Sequence, residues 1–221
     1  GPTQREDALD ISMVGMVVQL PEPIYMGLEW TICAWTLFAD GRPFREGFVQ
    51  PSGWIEGEHA MVGSMDDDQH VFYSEGRGGW LGCFCDDVEE SGYEENLYID
   101  TEGDHGFFSS QYSFHNLSDG WHFIAAVGSR WRLGMGWTAQ PSHGNGSTRY
   151  YVDGELVGSI PFNLQAPVQY IGNVSGEGFF EDQTQPWGRL ADFRIYRRAL
   201  TPRELAFVMG TPVAPHEGGA T

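Results

Sequence analysis

The chain has 221 residues, 41% of them hydrophobic and 14% aromatic, enough apolar material for a packed core and against wholesale disorder. Twelve Lys and Arg against 31 Asp and Glu give a formal charge of −19. That field excludes nucleic acid and anionic membrane surfaces as natural partners and favours cations and basic protein surfaces. Its plainer use is to keep an acidic surface soluble.

The counts of 30 Gly and 12 Pro suit many short strands joined by tight turns. Residues 1–7 read as a tag remnant and leader, since Gly1-Pro2 has the form of a cleavage scar. No signal peptide and no apolar run of bilayer length is visible, so membrane insertion is not expected. Residues 8–210 read as one domain and 211–221, ending "PVAPHEGGAT", as a flexible tail or linker stub.

In chain order, "WTICAWTLFA" (30–39) is apolar on both alternating faces, which predicts a strand buried on both sides. "HVFYSE" and "WLGCFCDD" flank "GRGG" and predict a strand pair. "GWHFIAAVGS" (120–129) repeats the doubly apolar pattern. "TRYYVDGELVGSI" (148–160) predicts a hairpin turning at Asp153-Gly154, where a type I′ turn needs two positive φ angles. A last strand puts Ala191, Phe193 and Ile195 on one face and Asp192, Arg194 and Tyr196 on the other. A short helix follows: Thr201 as N-cap, Pro202 in the first position, Glu204 completing a capping box, and Leu200 and Leu205 at staple spacing. Leu205, Val208 and Met209 form its apolar face and Gly210 ends it.

Three cysteines make no disulfide framework; one bridge from Cys33 to Cys83 or Cys85 requires neighbouring strands. Cys83 and Cys85 share a strand face and read first as buried thiols. The sequons at Asn116, Asn145 and Asn173 fall in turn-like sequence and lean towards an extracellular origin.

"ADFRIYRRALTPREL", preceded by "YIGNVSGEGFF", resembles the C-terminal signature of the laminin-G-like, concanavalin A-type jelly rolls. "DGWHFIAAV" with "RYYVDGELVGS" resembles their central strands and hairpin, and "ALDISMVGMVVQLPEPIYMGLEWTICAWTLF" their opening, in which the first strand pairs near the last. The likeness runs in order from Ala8 to Met209. It implies an all-β sandwich of two antiparallel sheets with a short C-terminal helix. That fold carries lectins, adhesion modules and glycoside hydrolases alike, so function must be argued from the site. Residues 86–120 and 128–149 are long against the family pattern, and long loops are often functional.

Three chemistries can be weighed. Laminarinase-type hydrolases on this fold use acids at E-x-D-x-E spacing on one strand; "LYIDTEG" supplies Asp100 and Glu102, but Tyr98 holds the nucleophile position. No catalytic residues are therefore assigned. A calcium site is expected from Asp66, Asp67 and Asp68 in "SMDDDQH", with Asp192 as the acid near the final strand that the resemblance implies. A solvated acidic turn is the plainer alternative. A sugar site is expected from Trp54, Trp80, Tyr93, Trp131 and Trp137, because an aromatic ring packs the C–H face of a pyranose while polar groups take its hydroxyls. The alternative is that each ring fills its own loop's small core. The resulting expectation is a non-catalytic module that binds glycan at its loop rim with calcium assistance, extracellular or at the cell surface. Second comes an adhesion domain binding a basic protein surface, and third a glycoside hydrolase.

Overall fold

The segment with two apolar faces lies in the middle of a sheet, and each of its faces meets a different layer. A computed structural model of the protein describes residues 8–12, 17–38, 59–64, 69–75, 80–84, 107–113, 117–130, 146–160, 163, 167–172 and 187–210. These contain β1 (Leu9–Ile11), β2 (Val17–Ile24), β3 (Trp30–Phe38), β4 (His59–Ser64), β5 (Gln69–Glu75) and β6 (Trp80–Phe84). They continue with β7 (Phe107–Ser113), β8 (His122–Arg130), β9 (Gly146–Val152), β10 (Glu155–Ile160), β11 (Val168–Gly172), β12 (Gly188–Tyr196) and α1 (Pro202–Gly210). One antiparallel sheet has the order β1-β12-β3-β8-β9-β10 and the other β2-β11-β4-β5-β6-β7. The first strand does pair with the last, Leu9 opposite Leu190.

Trp30, Ile32 and Ala34 point between the sheets, where Ile124, Ala126, Tyr150 and Leu190 meet Phe72, Val168 and Ile171 of the other sheet. Cys33 and Trp35 point the opposite way, into a second cluster with Phe123, Ala125, Val127, Leu200, Leu205 and Val208. The helix thus makes a third layer over the outer face of the first sheet, which is why 30–36 and 122–128 are buried throughout.

The predicted local chemistry is in place. Glu204 accepts from the Thr201 backbone N–H at 2.8 Å, and Thr201 Oγ1 accepts from the Glu204 N–H at 3.3 Å. The amide and hydroxyl of Thr201, then Arg198, hold the Glu204 carboxyl down to about 2. Leu200 and Leu205 are buried together. Arg194 donates to the Val208 carbonyl at 3.1 Å, serving a group that the helix end leaves open. The β9–β10 turn has φ 50° at Asp153 and 87° at Gly154, both positive as the turn type demands.

One expectation is corrected. Ala191, Phe193 and Ile195 do not share a face: Ala191 packs under the helix, whereas Leu190, Phe193 and Ile195 face the inter-sheet core. The β12–β3 register shifts between Ala191 and Arg194, and Asp192 sits there with φ 52°, so one extra residue reverses the alternation. The neighbouring strands that a Cys33–Cys83 bridge requires are not present, because β3 and β6 lie in different sheets and Cys33 faces the helix layer. Cys33 is a free thiol that burial pushes up to about 12, with Arg194 opposing and Asp192 reinforcing the shift. Cys85 lies outside the described residues.

Candidate functional site

Strand direction decides which connections share an end of the sandwich. β2 stops at Ile24 and β3 starts at Trp30, with a short connection that makes these two ends coincide. Val168 pairs with Ile24, and β4 runs antiparallel to β11, so β4 finishes at Ser64 towards this same end. β5 departs from it at Gln69. Phe84 closes β6 opposite His70 and Phe107, placing the β6–β7 connection there as well. Gly128 faces Trp30, and Arg130 faces Gly146, which adds the β8–β9 connection. The strand ends that flank 65–68, 85–106 and 131–145 therefore all lie at the Trp30 end.

A built floor supports this end. The Trp30 indole N–H donates to Asn163 Oδ1 at 2.9 Å, and Asn163 Nδ2 donates to the Leu28 carbonyl at 2.8 Å. Asn163 is buried, so both bonds act in a low-dielectric setting and fix the approach of the β2–β3 connection. Gly128 and Gly146 make room for it: a Cβ on Gly128 would overlap the Trp30 ring and Asn163 Oδ1, and one on Gly146 would overlap the Ser129 carbonyl.

Asp66, Asp67, Asp68, Tyr93, Trp131 and Trp137 lie outside the described residues, all in the connections that leave from and return to the Trp30 end. Trp54, also outside them, belongs to the β3–β4 connection at the opposite end, where Trp80 opens β6. Tyr98, Asp100 and Glu102 fall in the β6–β7 connection, outside the described residues too. Asp192 occupies the β12 bulge, half-buried on the helix side near Cys33 and Arg194 and away from both ends. Among the described residues no three His, Cys, Asp or Glu side chains group as a metal site.

Sequence reasoning passed over Tyr25. It lies in the β2–β3 connection at the Trp30 end and is 69% exposed, with Leu28 beside it at 39%. A signal for it was available in "PEPIYMGLEW", an aromatic just beyond a proline-bearing strand and before a turn glycine.

The opposite end carries a titratable pair. His122 Nδ1 lies 2.7 Å from Asp153 Oδ2 and Nε2 lies 2.8 Å from the Ser118 carbonyl. Both ring nitrogens face acceptors, so both must donate, and the imidazolium is the form that fits. The Asp153 hydrogen bond raises the His122 pKa above 6.5 despite burial, helped by the Ser118 carbonyl. Burial lifts the Asp153 carboxyl, but the bonds from His122 and the Phe123 amide outweigh it and leave it below 3.8. Tyr112 also feels the Asp153 charge, after a larger upward push from burial. This pair ties a turn to a strand and is structural. An open hollow of about 460 Å³ on α1 is lined by Tyr196, Arg198, Arg203, Glu204, Phe207 and Val208. Arg198 and Glu204 are already joined there at 2.7 Å in the helix cap.

The family model described as concanavalin A-like lectin/glucanases superfamily matches residues 61–206. No curated protein matches the chain. Among solved structures, the chain is similar to the Ruminococcus gnavus IT-sialidase CBM40 bound to alpha2,3 sialyllactose, with TM-score 0.53 and 14% identity over 95% of this chain and 100% of that one. It is also similar to the native heptameric SAP-like pentraxin from Limulus polyphemus, with TM-score 0.47 and 13% identity over 94% and 78% of the two chains. The botulinum neurotoxin type G receptor binding domain gives TM-score 0.43 and 12% identity, over 90% of this chain and 45% of that one.

Proposed function

We propose a recognition role from one premise: the chain belongs to the concanavalin A-like lectin/glucanases superfamily. In this reading residues 8–210 form a non-catalytic module of a larger extracellular or cell-surface protein. It binds glycan at the Trp30 end, with calcium held by Asp66, Asp67 and Asp68 and sugar rings packed on Trp131, Trp137 and Tyr93. The observation that supports it is topological: the strand ends that flank the connections bearing these six residues lie at one end, beside a hydrogen-bonded floor. Calcium suits a carboxylate-rich turn because it accepts six to eight oxygen ligands in flexible geometry. The reading is confined to those six residues and does not draw on Trp54, Trp80 or Asp192. Tyr98 in the nucleophile position argues against glucan hydrolysis, so no reducing-sugar release from β-glucans is expected of the pure protein.

The test is a glycan array in calcium and in EDTA. Binding that needs calcium and that Trp131→Ala or Trp137→Ala abolishes without lowering Tm supports the reading. No binding to any glycan in calcium removes it and leaves the protein-interaction role of the fold.

A further inference from the structure

Resting on that recognition reading, we infer that Tyr25 is a stacking platform for an uncharged pyranose at the Trp30 end. A single exposed apolar side chain needs no explanation. Here, however, the exposed ring sits on a segment whose backbone is pinned from several sides. Met26 is buried next to it, Gly27 turns the chain at φ 81°, and the Leu28 carbonyl is held by Asn163, which also holds Trp30. Tyr25 and Leu28 are nevertheless 69% and 39% exposed. A rigid aromatic face requires little further ordering when a ligand arrives, which is what makes a platform effective.

The position is relevant as well as the rigidity. Asn163 connects Leu28 to the start of β9, since a Cβ on Gly146 would press on the Asn163 Cβ. The Tyr25 segment therefore shares its floor with the strand that follows the Trp131 and Trp137 connection. The phenol ring presents a face to axial C–H groups, and its hydroxyl donates to or accepts from a sugar hydroxyl. Charge sets the ligand class. Glu22 and Glu29 flank the segment and are exposed, and no Lys or Arg occurs between Arg5 and Arg42. A sialylated or sulfated sugar stacked on Tyr25 would meet like charge from these two carboxylates.

The experiment measures the affinity of the intact chain, Tyr25→Ala and Tyr25→Phe for neutral, sialylated and sulfated oligosaccharides, with Tm as the folding check. The expected result is tightest binding to neutral glycans, a loss of about tenfold or more in Tyr25→Ala and a clearly smaller loss in Tyr25→Phe, which keeps the ring face and lacks only the hydroxyl. Tm should stay unchanged in both, because the side chain is exposed. Tyr25→Ala binding within about twofold of wild type would overturn the platform. Strongest binding to sialylated or sulfated sugars would overturn the ligand class. A wild-type chain that binds no glycan at all is a separate result: it removes the recognition reading itself.

Discussion

At the scale of single residues, the His122–Asp153 pair makes stability depend on pH in a defined direction. Asp153 also accepts from the Phe123 N–H at 2.9 Å and donates its own N–H to the Phe123 carbonyl at 2.7 Å, so the turn residue is sewn to the start of β8. The folded pKa of His122 is raised, so the folded state binds its proton more tightly than the unfolded chain does. Its stabilisation is complete below the unfolded value of 6.5 and is lost as pH rises through the higher folded pKa. Asp153 has the opposite sign: its contribution is complete above 3.8 and is lost as pH falls through the lower folded pKa. The pair is therefore at full strength between those two values. His122→Gln should narrow the Tm gap to wild type as pH rises from 6 to 9. A gap that stays constant over that range would mean that His122 is neutral in the folded protein.

At the scale of elements, α1 and the floor at the Trp30 end are both structural, but they fail differently. Leu205 is fully buried between the helix and the first sheet, and truncating it leaves a cavity that β3 and β8 cannot collapse to fill. Leu205→Ala should cost about 2–4 kcal/mol in a denaturant titration, whereas a loss under about 0.5 kcal/mol would mean that the helix is not docked. Gly128→Ala adds volume where none is available. The new methyl would displace the Trp30 indole and break its bond to Asn163, at a cost of about 1–3 kcal/mol. The two defects are separable by function. If the Trp30 end is the binding end, Gly128→Ala should lower glycan affinity as well as stability, while Leu205→Ala leaves the affinity of the folded fraction intact.

For the whole molecule, the −19 charge and the acidic composition of two connections whose flanking strands end on one side make calcium linkage the informative measurement. Residues 85–106 alone contain nine Asp and Glu, and 65–68 contain three. If calcium binds only the folded chain, free ion at about 100 times Kd adds about 2.7 kcal/mol. In a domain of this size that raises Tm by about 5–10 °C. Magnesium should do much less, because it demands octahedral geometry and sheds water reluctantly. Asp66→Ala with Asp68→Ala should remove the calcium-dependent rise. Coincident wild-type melts in EDTA and millimolar calcium would eliminate the metal and leave a site made of aromatic and neutral polar groups. Among the described residues no helix is long and apolar enough to cross a membrane.

What the chain determined unaided is what depends on neighbours in sequence. Thr201 and Glu204 are three residues apart, and Asp153 and Gly154 adjoin, so the cap and the hairpin turn were legible from residue types alone. The doubly apolar runs at 30–38 and 122–128 likewise announced strands with two packed faces, because burial on both sides leaves no alternation to read. The tertiary structure decided everything that rests on distant partners. The bulge at Asp192 exists because β12 must match β3 over a register that local pattern does not encode, and it reversed the face assigned to Ala191. The separation of Cys33 from Cys83 and the shared end of the strands that flank the Asp66 and Trp131 connections follow from strand order. Tyr25 was passed over because its rigidity comes from Asn163, a residue 135 positions away from Leu28, and no local pattern carries that bond.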